Sequence, residues 1–332
     1  MTVDAVVSGA GGFIGGHLVR ALTLEGRTVR AVDRKPLAHW CQNLQYPGVE
    51  TVVVDVSTLD GARAALAGGA NEVYHLAADM GGMGFIEQHK VECMLSVLSS
   101  THMLMAAHEV QADRYFYASS ACVYRADKQT SADVVPLREV DVYPAMPEDG
   151  YGWEKLFSER MARHFLEDFS LATRVARFHN VYGPWGTWYG GREKAPAAAC
   201  RKIAEAVQRG DDRIEIWGDG EQTRSFTYID DGVDGVRRLT RSDVEQPVNI
   251  GSSELVTINQ LYAAVADIAG ITPRYVHIDG PLGVRGRNSD NTLVQSRLKW
   301  EPTTTLREGL THTYAWVAEQ VAARALGADH HN

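Results

Sequence analysis

Through the first half of the chain, short runs of β-branched and aliphatic residues alternate with longer segments of helical period. Residues 5–8, 29–32, 51–54, 72–76, 115–118 and 172–178 read as strands, and 13–24, 59–66, 86–108 and 151–168 as helices. Such alternation predicts an α/β fold, a Rossmann-type doubly wound parallel sheet of six strands. Beyond residue 180 the texture changes to long Gly- and Pro-bearing connections, 182–196 and 217–226, with helices expected at 258–269 and 306–325. In the second of these Leu306, Leu310, Tyr314, Val317 and Val321 recur at helical intervals. The expected organisation is a Rossmann domain over 1–180, to which later segments return, a smaller interleaved C-terminal lobe over 181–326, and a flexible tail over 327–332.

Composition narrows the class without altering the fold. The 332 residues are 45% apolar and 23% charged, ordinary for a globular protein with a substantial core. Against 33 basic side chains stand 42 acidic ones, a net charge of −9, which argues against a nucleic-acid partner because phosphate binders carry a basic stripe. Cys41, Cys93, Cys122 and Cys200 form no CxxC pair, and no His/Cys spacing suits a metal, so no metal is expected and a reducing, cytoplasmic location is. The terminal His330 and His331 are too few to change this. No signal peptide and no membrane-spanning stretch is read.

The string Ser8-Gly9-Ala10-Gly11-Gly12-Phe13-Ile14-Gly15 lies between the first strand and the first helix. In that setting Gly9 permits a tight turn, Gly12 a close backbone approach to a pyrophosphate, and Gly15 close helix–strand packing, while the helix start at Phe13 and Ile14 faces the phosphates. Asp33 closes the second strand, placed to accept hydrogen bonds from an adenosine ribose and to repel a 2′-phosphate. The expected cofactor is therefore NAD, a preference softened by Arg34 and Lys35. Asp55, after the third strand, either bonds adenine or caps the next segment.

Tyr151 and Lys155 stand at i and i+4 at the start of a helix, so that one face carries both. An adjacent ammonium favours the phenolate, and a tyrosine of ordinary pKa ~10 then becomes usable as a base. Ser120, after the fifth strand, can bridge the phenolate and a substrate hydroxyl. The glycine turn, the post-strand serine and YxxxK, in this order, resemble the short-chain dehydrogenase/reductase superfamily. Tyr182-Gly183-Pro184 points to its extended, nucleotide-sugar branch.

Further strings narrow the resemblance to the GDP-mannose 3,5-epimerase family: 77–86 around Met80-Gly81-Gly82-Met83, Ser119-Ser120-Ala121-Cys122, 178–184, Arg192-Glu193-Lys194-Ala195-Pro196, 217–226 and 283–291. The resemblance covers nearly the whole chain, from about Val3 to Ala325. It implies a homodimer, for which the apolar stretch 94–107 offers a face. It also implies transient oxidation at C4 of a nucleotide sugar, inversion at C3 and/or C5, and re-reduction, so that NAD is regenerated. Tyr151 then takes the hydroxyl proton, Lys155 holds the nicotinamide ribose, and Cys122 and Lys194 act as base and acid, Lys194 doubling as the cation that favours the thiolate. Gly81, Ser120, Ala121, Asn180, Glu193, Ala195, Lys202, Gln222, Thr223, Arg224 and Arg287 are implied to contact substrate, Arg224 and Arg287 matching the family's phosphate and substrate positions.

Two strings depart from the family pattern. Leu95-Ser96-Val97 replaces an Asn-Asn-Thr run, and Arg125 follows Tyr124 where proline is usual. These departures keep alternatives open: the same chemistry on a GDP- or ADP-activated manno-heptose, with C4 also inverted, a simple 4-epimerase, or a non-catalytic NAD-binding regulator. A 4,6-dehydratase would need an acidic pair where Ala121 and Cys122 stand.

Overall fold

The computed structural model describes residues 2–281 and 283–327. The expected tail, apart from Gly327, and both terminal histidines lie outside the described residues. The first half builds Val3–Ser8 (β1), Phe13–Leu24 (α1), Val29–Asp33 (β2), Val49–Val53 (β3), Leu59–Ala65 (α2), Ala70–His75 (β4), Met83–Gln88 (α3), Lys90–Glu109 (α4), Arg114–Ser120 (β5), Tyr151–Phe169 (α5) and Thr173–Phe178 (β6). The second half adds Val181–Tyr182 (β7), Ala195–Arg209 (α6), Arg213–Trp217 (β8), Thr223–Ser225 (β9), Thr227–Tyr228 (β10), Ile229–Arg241 (α7), Val248–Ile250 (β11), Leu255–Thr257 (β12), Ile258–Ala269 (α8), Arg274–Ile278 (β13), Gly286–Arg287 (β14), Thr292–Leu298 (α9) and Leu306–Ala325 (α10).

One parallel sheet in the order β11-β6-β5-β4-β1-β2-β3 forms the centre. It has seven strands where six were expected, because β11 returns from the second half to pair with β6. Helices α1 and α7 pack on one face, α2, α4 and α5 on the other, which is a doubly wound arrangement. Each face buries its own apolar cluster, one around Val7, Leu18 and Val236, the other around Val6, Val73, Leu104 and Val175. Strand β1, buried on both faces, carries the apolar run Ala5-Val6-Val7 that made it legible, whereas β2 and β4 bury Arg30 and Glu72 within theirs.

The lobe packs α6, α8 and α10 together beside the small β8/β13 and β12-β9-β14 sheets. Its helices start where side chains satisfy free backbone donors: Thr257 with Gln260 caps α8, and Thr305 with Glu308 caps α10. The helix expected over 86–108 is two helices, α3 and α4, divided at His89, whose φ of −123° and ψ of 43° leave the helical region. His89 fills the break itself, its ring stacked on Phe85 at 4.2 Å and Nδ1 3.0 Å from the Phe85 carbonyl.

Candidate functional site

The strand ends of β1, β2, β4 and β5 and the lobe together enclose a cavity of about 940 Å³. Crevices beyond the carboxyl ends of parallel strands are where such sheets bind ligands. The cavity is lined by Gly9, Gly12, Phe13, Ile14, Gly15, Asp33 and Asp55 at one end and by Tyr151, Lys155, Ser120, Cys122 and Lys194 deeper in. Gly81, Ala121, Asn180, Glu193, Ala195, Lys202, Gln222, Arg224 and Arg287 line it too. Thr223 does not: it alternates with Gln222 and Arg224 along the chain, and its hydroxyl donates to the Ala132 carbonyl at 2.5 Å.

At the glycine turn, a Cβ on Gly15 would lie 2.1 Å from the Gly9 carbonyl oxygen, so only glycine allows α1 this close to the turn. Gly12 caps α1 without a side-chain bond, and no acidic residue occupies the first turn. The first N–H groups of α1 therefore face the cavity with a positive helix end, as an anion requires. Asp33 accepts from the Gly11 N–H (3.1 Å) and the Lys35 N–H (3.0 Å), and each oxygen keeps a lone pair for a ribose hydroxyl. Both cations that weakened the NAD preference are engaged. Arg34 donates to both oxygens of Asp79 at 2.9 Å, and the Lys35 ammonium to the Gly11 carbonyl at 2.7 Å. These residues fit NAD. Asp55 accepts from the Ser57 N–H at 2.9 Å, the local capping use of its carboxylate.

Deeper, the Tyr151 phenol is buried, and burial together with the nearby Cys122 holds its pKa well above the ordinary value; the Ser120 hydroxyl opposes this. Lys155 lies over the Tyr151 ring at 5.5 Å, but its ammonium donates to the Tyr117 hydroxyl (3.2 Å) and stands 3.3 Å from Glu154. The ammonium over the ring is anchored by a buried network in which Ser100, Tyr117 and Ser158 also donate to Glu154. Nothing in the spacing of YxxxK marks its interior glutamate for this.

Cys122 sits in a short turn after β5, its N–H donating to Ser120 Oγ at 3.2 Å. Burial and Glu148 push its thiol up to about 11, against the pull of Arg287. Arg287 Nη1 lies 3.6 Å from the sulfur. Hence the cation in contact with Cys122 is Arg287, where the sequence pointed to Lys194. Lys194 is still within electrostatic reach of Cys122, and burial pulls its ammonium pKa down. Arg287 also donates to Gln129 (2.6 Å) and Glu148 (2.6 Å). Gln129 and Glu148 carry no motif, and only the fold brings them here.

The loop carrying Lys194 is held against the Met-Gly-rich loop. The Gly82 N–H donates to the Arg192 carbonyl at 2.9 Å, and a Cβ on Gly82 would lie 2.5 Å from the Glu193 carbonyl oxygen. Glu193 itself accepts from Arg201 at 2.9 Å and from the Gly191 N–H at 2.7 Å, which fixes the loop. Farther out, Lys202 donates to the Glu215 carbonyl, Asn180 to the Ser225 carbonyl, and Arg224 to the Thr223 and Val284 carbonyls. Burial and the neighbouring Arg287 lower Arg224 to about 10. Gln222 keeps a buried Oε1 with no hydrogen-bond partner among the described residues, an acceptor left open at the cavity wall. Arg285, not expected in the site, pairs with Asp219 at 2.8 Å on the surface.

Residues 5–251 match the model of the NAD dependent epimerase/dehydratase family. Among curated relatives, GDP-mannose 3,5-epimerase 1 of Oryza sativa subsp. japonica is 48% identical over 316 residues, covering 95% of this chain and 82% of the relative. GDP-mannose 3,5-epimerase of Arabidopsis thaliana is 47% identical over 325 residues, 97% of this chain and 84% of that one. Among solved structures, MoeE5 in complex with UDP-glucuronic acid and NAD is 31% identical with a TM-score of 0.77, covering 95% and 99% of the two chains. The UDP-glucose 4-epimerase of Thermotoga maritima superposes with a TM-score of 0.85 over 96% and 99%, and at 24% identity shares the fold.

Proposed function

The chain belongs to the NAD dependent epimerase/dehydratase family, and from that premise we propose that it is an NAD-dependent nucleotide-sugar epimerase of the GDP-mannose 3,5-epimerase kind. One observation carries the reading beyond the family. Cys122 and Lys194, two proton-carrying groups of different type, stand within electrostatic reach of each other in the cavity that also holds Tyr151 and Ser120. A 4-epimerase has no use for such a second pair.

When bound, NAD supplies reversible two-electron oxidation of the sugar C4 carbinol. The chain handles the protons. Tyr151 acts as its phenolate, which the Lys155 ammonium over its ring favours against the burial that raises the phenol; it accepts the C4 hydroxyl proton and returns it on re-reduction. Ser120 orients that hydroxyl, and the Lys155–Glu154–Tyr117 network fixes the ammonium beside the ring. A C4 carbonyl acidifies the hydrogens on C3 and C5, and inversion needs a base on one face with an acid on the other. Cys122 and Lys194 fill these two places. To Gln222, Arg224 and Lys202, which line the same cavity, we assign the nucleotide diphosphate, for which arginine gives forked contacts.

A homodimer fits the surface. Val91, Met94, Leu95 and Leu98 of α4 and Trp153 and Phe157 of α5 are exposed on adjacent helices, whereas Met103, Leu104, Ala106 and Ala107 of the same apolar stretch are core. All four cysteines are unpaired, and no helix among the described residues is long and apolar enough to cross a membrane; a cytoplasmic enzyme is our reading.

Incubation with GDP-mannose in deuterated water, followed by NMR, tests the function. Deuterium at both C3 and C5 is expected. Exchange at C5 alone would mean a single inversion, and an inert GDP-mannose alongside an active GDP- or ADP-heptose would move the substrate. Absence of exchange on all of them would refute the epimerase.

A further inference from the structure

Glu148 lies three residues before Tyr151, in the turn leading to α5, and none of the steps above uses it. Its backbone N–H donates to the Cys122 carbonyl at 3.0 Å, which fastens the two residues together. Its Oε1 accepts from Arg287 Nη2 at 2.6 Å, while Arg287 Nη1 reaches the Cys122 sulfur at 3.6 Å. One guanidinium fork thus grips a carboxylate and a sulfur, and Gln129 holds its Nε from behind. Glu148 Oε2 is buried with no hydrogen-bond partner among the described residues, so Arg287 carries the compensation for this carboxylate. A buried carboxylate is costly unless a cation balances it, and here the balancing cation also faces the sulfur.

We propose that Glu148 sets the proton affinity of Cys122 through Arg287: its carboxylate neutralises the guanidinium that faces the sulfur, so that at rest the proton stays on sulfur. The inference rests on the reading of Cys122 as the group that takes a proton from the sugar. For that step the thiol proton passes to the Lys194 amine, a form that burial favours, and the sulfur lone pair then takes the proton from the carbon beside the C4 carbonyl. The C–H electron pair moves into that carbonyl as an enolate. The Lys194 ammonium so formed protonates the opposite face and returns to the amine. Charge and protons return to their starting values. Glu148 acts through Cys122 and is a positioning residue.

The groups that face the sulfur are Glu148 from the turn before α5, Arg287 from β14, Ser120 from the end of β5 and Tyr151 from α5. Lys194 from the loop before α6 and Arg224 from β9 complete the set, with Cys93 of α4 behind Tyr151. Among them Glu148 is the anion, and its pressure keeps the proton on sulfur.

The test uses the NAD-loaded protein without sugar. Iodoacetamide alkylation of Cys122 is followed by peptide mass spectrometry across pH in the wild type, Glu148→Gln and Glu148→Asp. Glutamine keeps the acceptor for Arg287 but carries no charge, so the thiol then faces Arg287 without an opposing anion. Alkylation near neutral pH is expected to rise at least about tenfold in Glu148→Gln, with the rate curve moved to lower pH, and to stay near wild type in Glu148→Asp. Deuterium uptake by the sugar is expected to fall in Glu148→Gln and to acquire the pH dependence of its thiol, with NAD affinity unchanged. Superimposable alkylation curves for wild type and Glu148→Gln would overturn this role of Glu148, as would faster alkylation with unimpaired deuterium uptake. A shifted alkylation curve in a protein whose wild type exchanges no sugar proton would support the role and refute the substrate reading alone.

Discussion

Replacing Arg287 by glutamine isolates how much the buried fork contributes to the fold. The Arg287 and Glu148 side chains are 5% and 11% exposed and 2.6 Å apart. An exposed pair would contribute about 0–1 kcal/mol, but removing one partner of a buried pair strands the other charge, at about 3–5 kcal/mol. In the wild type, burial pushes the Glu148 carboxyl up, but Arg287 outweighs it and holds the folded pKa below the ordinary value. Its contribution is therefore present above the unfolded pKa of ~4.3 and lost as pH falls through the folded one. In Arg287→Gln burial loses its main opponent, with Cys122 and Arg224 remaining, and the folded pKa is expected above the unfolded one. That carboxyl costs nothing extra while protonated and destabilises progressively as pH rises. Urea unfolding of the NAD-free proteins is thus expected to show a loss of about 3–5 kcal/mol at neutral pH that shrinks toward pH 5, and the double variant Glu148→Gln/Arg287→Gln is expected to recover most of it. A loss below about 1 kcal/mol at neutral pH, or one that grows on acidification, would refute the buried-pair argument.

The parts of this molecule that were readable in sequence are those where one local requirement dictates residue type. A strand buried on both faces calls for aliphatics, so the Ala5-Val6-Val7 run of β1 stands out, and α1, α8 and α10 run over the residues expected of them. Helices α6 and α7 went unread although each carries an apolar stripe, Ala199, Ile203 and Ala206 in the first and Val233, Val236 and Leu239 in the second, because each follows a long Gly- and Pro-bearing connection that set the reading for the region. The seventh strand, β11, is three residues long and is specified by its neighbour β6, not by its own pattern. The same division holds in the cavity. Gly15, Asp33, Tyr151 and Lys155 sit in motifs with fixed spacing. By contrast Glu148, Gln129 and Arg287 come from three separated segments, and their meeting depends on the Leu137–Ser289 bridge and the β14–β9 pairing that bring those segments together. Electrostatic partners of this kind leave no periodic trace, which is why the sequence offered Lys194 as the cation for Cys122.

Two further outcomes follow from contacts already described. Gly15→Ala places a methyl 2.1 Å from the Gly9 carbonyl oxygen, so α1 must shift away from the turn, and NAD affinity measured by calorimetry is expected to fall at least tenfold, about 1.4 kcal/mol or more, while circular dichroism keeps its helical signal; unchanged affinity would remove the glycine turn from the cofactor site. Phe157→Glu adds a charge to the exposed apolar face shared by α4 and α5, where Phe157 is 50% exposed and Leu98 43%. If that face is the homodimer contact, sedimentation will show a monomer with NAD still bound, because burying an unpaired carboxylate at an apolar interface costs several kcal/mol whereas the same side chain in water costs almost nothing. A dimer of undiminished affinity in this variant would place the contact elsewhere, and the exposed leucines and phenylalanine of α4 and α5 would then need a different partner.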